Sequence, residues 1–129
     1  MERLQQQIEF IMELDKLKSV LRRSYLTHNS RRENSGEHSW HIAMAALTLA
    51  EYANEPVAIG HVIKLLLIHD IVEIDADDTF VYDTTAGLDQ AERENLAAER
   101  IFGLLPADQR AIYLGLWREF EARTTPEAK

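Results

Sequence analysis

The chain has 129 residues, 46% hydrophobic and 28% charged, with only five glycines and three prolines, a mixture that supports one globular domain over residues 1–129 and excludes a disordered or low-complexity chain. Its 22 acidic against 14 basic side chains give a formal net charge of -8, which excludes broad adhesion to nucleic acid polymers or anionic membranes, since both need a dense positive face. There is no cysteine, so disulfides, thiolate metal sites and cysteine nucleophiles are excluded as well, and a reducing, cytoplasmic setting is expected.

The start, "MERLQQQIEF", lacks the charged-then-apolar layout of a secretion signal, and no apolar stretch reaches the roughly 18 residues of a membrane span. Apolar residues from Leu4 through Ile8, Ile11, Leu14 and Leu17 to Leu21 recur at helical spacing and predict an amphipathic helix over 2–22. "THNSRRENSG" (27–36) holds no large apolar side chain and reads as a loop. A second helix is expected over 37–53, with Asn34 or Ser35 as its cap.

Pro56 suits the first turn of a third helix running through "VAIGHVIKLLLIHDIVE", which is apolar on most of its circumference and therefore central. The acidic segment "DADDTFVYDTTAG" (75–87) has turn composition, with "TFVYD" as a possible short extended piece. Charged amphipathic helices follow over 88–104 and from Pro106 to about Arg123. No alternating strand pattern and no repeat is found. In the final "TTPEAK", Thr124 with Glu127 fits a capping box and Thr125 with Pro126 fits an N-cap and first helical residue, so two helix starts overlap.

The third helix poses the chemical question. At about 100° per residue, and counting from His61, His69 lies near 80°, Glu73 near 120° and Asp70 near 180°, all in one sector of an apolar helix. An unpartnered carboxylate in such a setting costs several kcal/mol. An arginine or lysine partner, a neutralising pKa shift or a divalent cation would each compensate. For the cation, imidazole and carboxylate are natural ligands, and the second helix adds His38 with His41 as an H-x-x-H pair whose members can face the same way.

Glu37-His38, a thirty-residue gap, His69-Asp70, then Glu73 and Asp78 is an arrangement that resembles the HD-domain metal-dependent phosphohydrolases, most widely their 5'-deoxynucleotidase branch. The resemblance runs from "DKLKSVLRRSYL" through "NSGEHSWHIAMAA", "LLLIHDIVEIDADDT" and "LLPADQ" to "LWREFEARTTPEAK". It implies an all-α helical bundle of about five helices in which His38, His69 and Asp70 bind one divalent metal ion. It also implies a fourth ligand, an aspartate on a helix beyond "PEAK", so the chain is expected to be C-terminally short and to lack the usual last helix.

In that frame Glu73 is placed to orient or deprotonate a water, and Asp78 to handle a proton or a sugar hydroxyl; outside it, a helix-end salt bridge and a turn residue are the plain readings. Arg22, Arg23, Arg31 and Arg32 are candidate phosphate forks. The resemblance points to Arg23, although Ser24 stands where several relatives have tryptophan. A calcium loop starting at Asp75 fails, since Phe80 and Ala86 occupy the glycine and glutamate positions. Trp40 and Trp117 read as packing residues, and His28 and His61 as polar groups without an assigned partner.

The expected function is hydrolysis of the 5'-phosphate of small nucleotides, deoxynucleoside monophosphates foremost, by a homodimer with Mn, Co, Mg, Zn, Ni or Fe undistinguished. The alternative is a catalytically weak or inactive HD domain serving as a helical binding or assembly module. Three protein ligands still suffice to hold a metal with open positions.

Overall fold

The computed structural model describes residues 2–25, 32–76 and 89–128. Among them the fold is an all-α bundle with one short hairpin. The first amphipathic helix is shorter than its apolar period suggests. Helix α1 spans Arg3–Leu14, Asp15–Ser19 tightens into a 3-10 turn, and Leu21–Tyr25 forms strand β1. Strand β1 pairs antiparallel with β2, Arg32–Asn34, in the register Leu21↔Asn34 and Tyr25↔Arg32. The helix expected to 22 and the absence of strands are thus corrected. Val20 and Leu21 keep the helical period, but the backbone beyond them finds hydrogen-bond partners in β2, and tertiary pairing overrides a local preference.

Helix α2 spans Ser35–Leu49 and starts two residues earlier than expected. Asn34 is its cap, in a full capping box: the Glu37 amide donates to Asn34 Oδ1 at 2.8 Å and the Asn34 amide to Glu37 Oε1 at 2.9 Å. The Ser35 amide donates to the Val20 carbonyl at 2.8 Å, tying the helix start to the chain before β1. Pro56 lies in the link before α3, which runs Ile59–His69 rather than on to Glu73. The chain leaves helical backbone at Asp70 and resumes as one turn, α4, Glu73–Ala76.

Helix α5 spans Gln90–Phe102, capped by the Asp89 side chain, and α6 spans Ala107–Ala122. Between them Arg110 Nη2 donates to the carbonyls of Gly103 and Leu105 at 3.0 and 3.1 Å, satisfying groups that the end of α5 leaves open. A side chain at Gly103 would collide with the Glu99 carbonyl oxygen, so only glycine fits there. Arg123, in the left-handed region with φ 55°, ends α6.

The core gathers Phe10 of α1, Ile68 of α3, Ile71 and Val72 of the break, Ile101 and Phe102 of α5 and Trp117 of α6. Burying each such large apolar side chain contributes about 1.5–3 kcal/mol. Trp117 packs as expected, but Trp40 does not: it is 65% exposed and shares an outward stripe of α2 with Met44 and Leu47. Arg100 joins three elements at the surface, bonding Asp75 of α4 and Glu13 of α1 from α5. Its guanidinium is held above its ordinary pKa, first by Asp75. Asp75 therefore serves packing. No helix among the described residues is long and apolar enough to cross a membrane.

Candidate metal centre

Consecutive residues on a regular helix point about 100° apart and do not face each other. His69 and Asp70 meet because the helix ends between them: Asp70 is the C-cap, at φ -96° and ψ 0°. That change of direction brings Asp70 Oδ1 to 3.3 Å from His69 Nε2. It also sends Ile71 and Val72 into the core, anchoring the chain just beyond the pair.

The His69 ring is held from two other sides. Its Nδ1 lies 2.5 Å from the Leu66 carbonyl oxygen. A carbonyl only accepts, so Nδ1 carries the proton and Nε2 keeps its lone pair. Phe120 of α6 covers the ring at a centroid distance of 4.7 Å and a tilt of 36°.

The third donor comes from α2. The capping box sets the angle at which α2 begins, and His38, in its first turns, places its ring 6.0 Å from that of His69. One donor atom each from His38, His69 and Asp70 lies within 4.8 Å of the others. The side chains are 20%, 12% and 13% exposed. Two donors each about 2.1 Å from a shared ion sit at most about 4.2 Å apart, so closing this group on a divalent cation needs only small shifts. Two imidazoles and a carboxylate also form a suitable donor set for a first-row divalent ion. Negative charge gathers alongside. Glu121 of α6 is held above the usual carboxylate range by desolvation first and then by Glu94, with Asp70 adding to the effect and Arg123 and His69 opposing it.

The remaining expectations separate. His41 is exposed and is not among the converging donors, so the H-x-x-H pair does not act as one. Glu73 opens α4, its amide bonded to the Asp70 carbonyl at 3.0 Å. Arg22 and Arg23 lie on β1 and Arg32 on β2, the strand that leads into α2. His28, Arg31, Asp78, Phe80, Ala86 and the "TFVYD" segment lie outside the described residues.

His61 belongs to a separate clasp in which its Nε2 is 2.8 Å from Glu119 Oε1, while Thr125 Oγ1 donates to Glu119 Oε2 at 2.6 Å. These bonds, Thr125 first, hold the Glu119 carboxyl below its usual range. Of the two overlapping starts in "TTPEAK", the one at Thr125 makes its capping bond, though within a turn and not a helix: the Ala128 amide donates to Thr125 Oγ1 at 3.3 Å, whereas Glu127 Oε2 accepts from the Ala58 amide.

Two contributors escaped the sequence reading. Phe120 has no local signature, because its partner is 51 residues away. Glu33, whose Oε1 lies 3.3 Å from His38 Nδ1, did have one in the capping box beside it.

A helical bundle that brings a distant histidine onto a consecutive histidine–aspartate pair is the construction of an HD domain, and the model of a family described by that name matches residues 14–129. The chain belongs to the HD-domain family. It is 30% identical over 123 residues to the 5'-deoxynucleotidase HDDC2 of Danio rerio and 28% identical to that of Homo sapiens, covering 95% of this chain in both cases. It spans 60% and 59% of the length of those relatives. A crystal structure from Magnetospirillum magnetotacticum MS-1, titled a predicted metal-dependent phosphohydrolase, superposes with a TM-score of 0.87 at 60% identity. That match covers 98% of this chain and 64% of the other.

Proposed function

We propose that this chain carries the catalytic centre of a divalent-metal-dependent phosphohydrolase that removes the 5'-phosphate of small nucleotides, deoxynucleoside monophosphates foremost. The observation that carries this reading is the convergence of His38, His69 and Asp70 donors within 4.8 Å in a largely shielded site. The HDDC2 relatives support the substrate class. In this reading the three side chains hold the ion, which when bound supplies an acidified water and positive charge for the phosphoryl oxygens.

The chain's own residues do the rest. Glu73, one turn beyond Asp70, orients the attacking water and takes its proton. Asp78 handles the leaving-group proton or a sugar hydroxyl. Arg23 receives the phosphate, a role for which planar guanidinium is the suited fork and which a chain of net charge -8 must assign to specific cations. Both of these roles rest on the family resemblance.

Metal content after purification, followed by phosphate release from a panel of nucleoside monophosphates with added manganese, cobalt, magnesium or zinc, tests the reading. Release is expected with at least one ion. Glu73→Gln is expected to retain the ion while turnover falls by about 10²–10⁴. A protein that takes up no metal and releases no phosphate is the inactive binding or assembly module instead.

The reading also includes a cytoplasmic homodimer. Trp40, Met44 and Leu47 form an exposed apolar stripe along α2, and a second copy is an economical cover for such a face. Light scattering at micromolar concentration is expected to return twice the chain mass; the monomer mass would remove the dimer.

A further inference from the structure

We infer that Glu33 is a positioning residue that holds the His38 imidazole in one tautomer, protonated at Nδ1, so that Nε2 faces the donor cluster. The affinity part of this inference rests on the metal reading above; the tautomer part does not.

The geometry follows from the capping box. With Asn34 as N-cap and Glu37 at N3, Glu33 is N′ and His38 is N4. In capping-box helices N′ and N4 commonly pack against each other, usually as an apolar staple. Here the same pair is an acid and an imidazole, with Glu33 Oε1 at 3.3 Å from His38 Nδ1. Their side chains are only 14% and 20% exposed, so bulk water screens the contact poorly.

A carboxylate accepts and does not donate, so the nitrogen beside it is the one that carries hydrogen. The lone pair is then left on Nε2. At His69 the Leu66 carbonyl takes the place of the carboxylate: at 2.5 Å from Nδ1 it is the nearer acceptor and decides the hydrogen, while Nε2 stands 3.3 Å from Asp70 Oδ1. The two rings thus offer like nitrogens to one centre by different means.

A carboxylate behind an imidazole does more than a carbonyl, because it also raises the basicity of the ligating nitrogen. It matters at this position in particular. The first turn of α2 carries the positive end of the helix dipole, which opposes a cation nearby, and an adjacent negative charge offsets it. The exposed His41, one turn further along, has no place in the cluster.

The experiment is long-range ¹⁵N–¹H NMR on the metal-free full chain, at a pH where the ring is neutral, paired with calorimetric titration of manganese(II). Wild type is expected to show His38 with hydrogen on Nδ1. Glu33→Leu puts at N′ the apolar residue type usual there, which packs on the His38 ring and so protects folding, yet it is expected to shift His38 towards the Nε2-protonated form and to weaken manganese binding by about 10–100-fold. Glu33→Gln keeps an acceptor oxygen and is expected to retain the tautomer with a smaller loss of affinity. A purely structural Glu33 would change the melting temperature and leave the tautomer alone. An unchanged tautomer in Glu33→Leu overturns the inference, as does unchanged manganese affinity. If wild type binds no manganese, the metal reading fails, and the tautomer still decides what Glu33 does.

Discussion

Replacing His69 by alanine is expected to lower metal affinity by more than about a hundredfold, beyond the 10–100-fold typical of residues that only support ligands, and to reduce phosphate release to background. The ring has three constraints: the Leu66 carbonyl at Nδ1, Phe120 on its face and Asp70 at 3.3 Å from Nε2. A residue so held is already oriented, and among the described residues no spare imidazole replaces it, since His38 is itself in the donor group, His41 is exposed and His61 is engaged with Glu119. His41→Ala is the matched control and is expected to keep wild-type affinity and turnover.

Thermal melts give a readout independent of turnover. A ligand that binds only the folded state adds about 2.7 kcal/mol at a hundred times its dissociation constant. Added manganese should therefore raise the melting temperature of wild type and of His41→Ala, but not that of His69→Ala. Equal stabilisation of all three by manganese would mean that the ion binds elsewhere and that His69 and Asp70 are a structural pair.

How much of this was visible in the sequence varied from residue to residue. That His38, His69 and Asp70 lie near one another was legible through the family resemblance, whereas the need to compensate charge in an apolar helix spoke only for His69, Asp70 and Glu73. The way His69 and Asp70 meet was not legible. Helical periodicity treats 57–73 as one rod, whereas the chain departs from the helix at Asp70, and a pattern of types carries no mark of that departure. The partner of His61 was not legible for a similar reason, lying 58 residues away on α6. Strand β1 was hidden because Val20 and Leu21 fit a helical period and the decisive bonds come from β2. Trp40 faces outward although its type favours burial. Glu33 was legible in principle, since choosing Asn34 as the cap also names N′ and N4.

Phe102→Ala is expected to have the largest effect on stability. Phe102 is 0% exposed at the end of α5, with Phe10 at 6.2 Å and Tyr113 at 6.4 Å between ring centroids. Deleting a buried phenyl ring typically costs about 3–5 kcal/mol, the transfer term plus the cavity left behind. Small domains are stable by only about 5–15 kcal/mol. Neighbouring helix ends limit collapse into the space, because the carbonyls of Gly103 and Leu105 are held by Arg110. Urea unfolding should show a lower midpoint with an unchanged slope. Phe102→Leu retains most of the volume and is expected to cost under about 1.5 kcal/mol. A loss below about 1 kcal/mol in the alanine variant would show that the core refills there, contrary to close packing. The defect should also stay separable from the chemistry. Phe102 shares a core with Ile71 and Val72, which anchor the chain just beyond Asp70, yet it is not among the residues contacting the donor rings. Well below its melting temperature the variant should bind manganese within a few-fold of wild type, whereas His69→Ala should melt near wild type without metal and bind none.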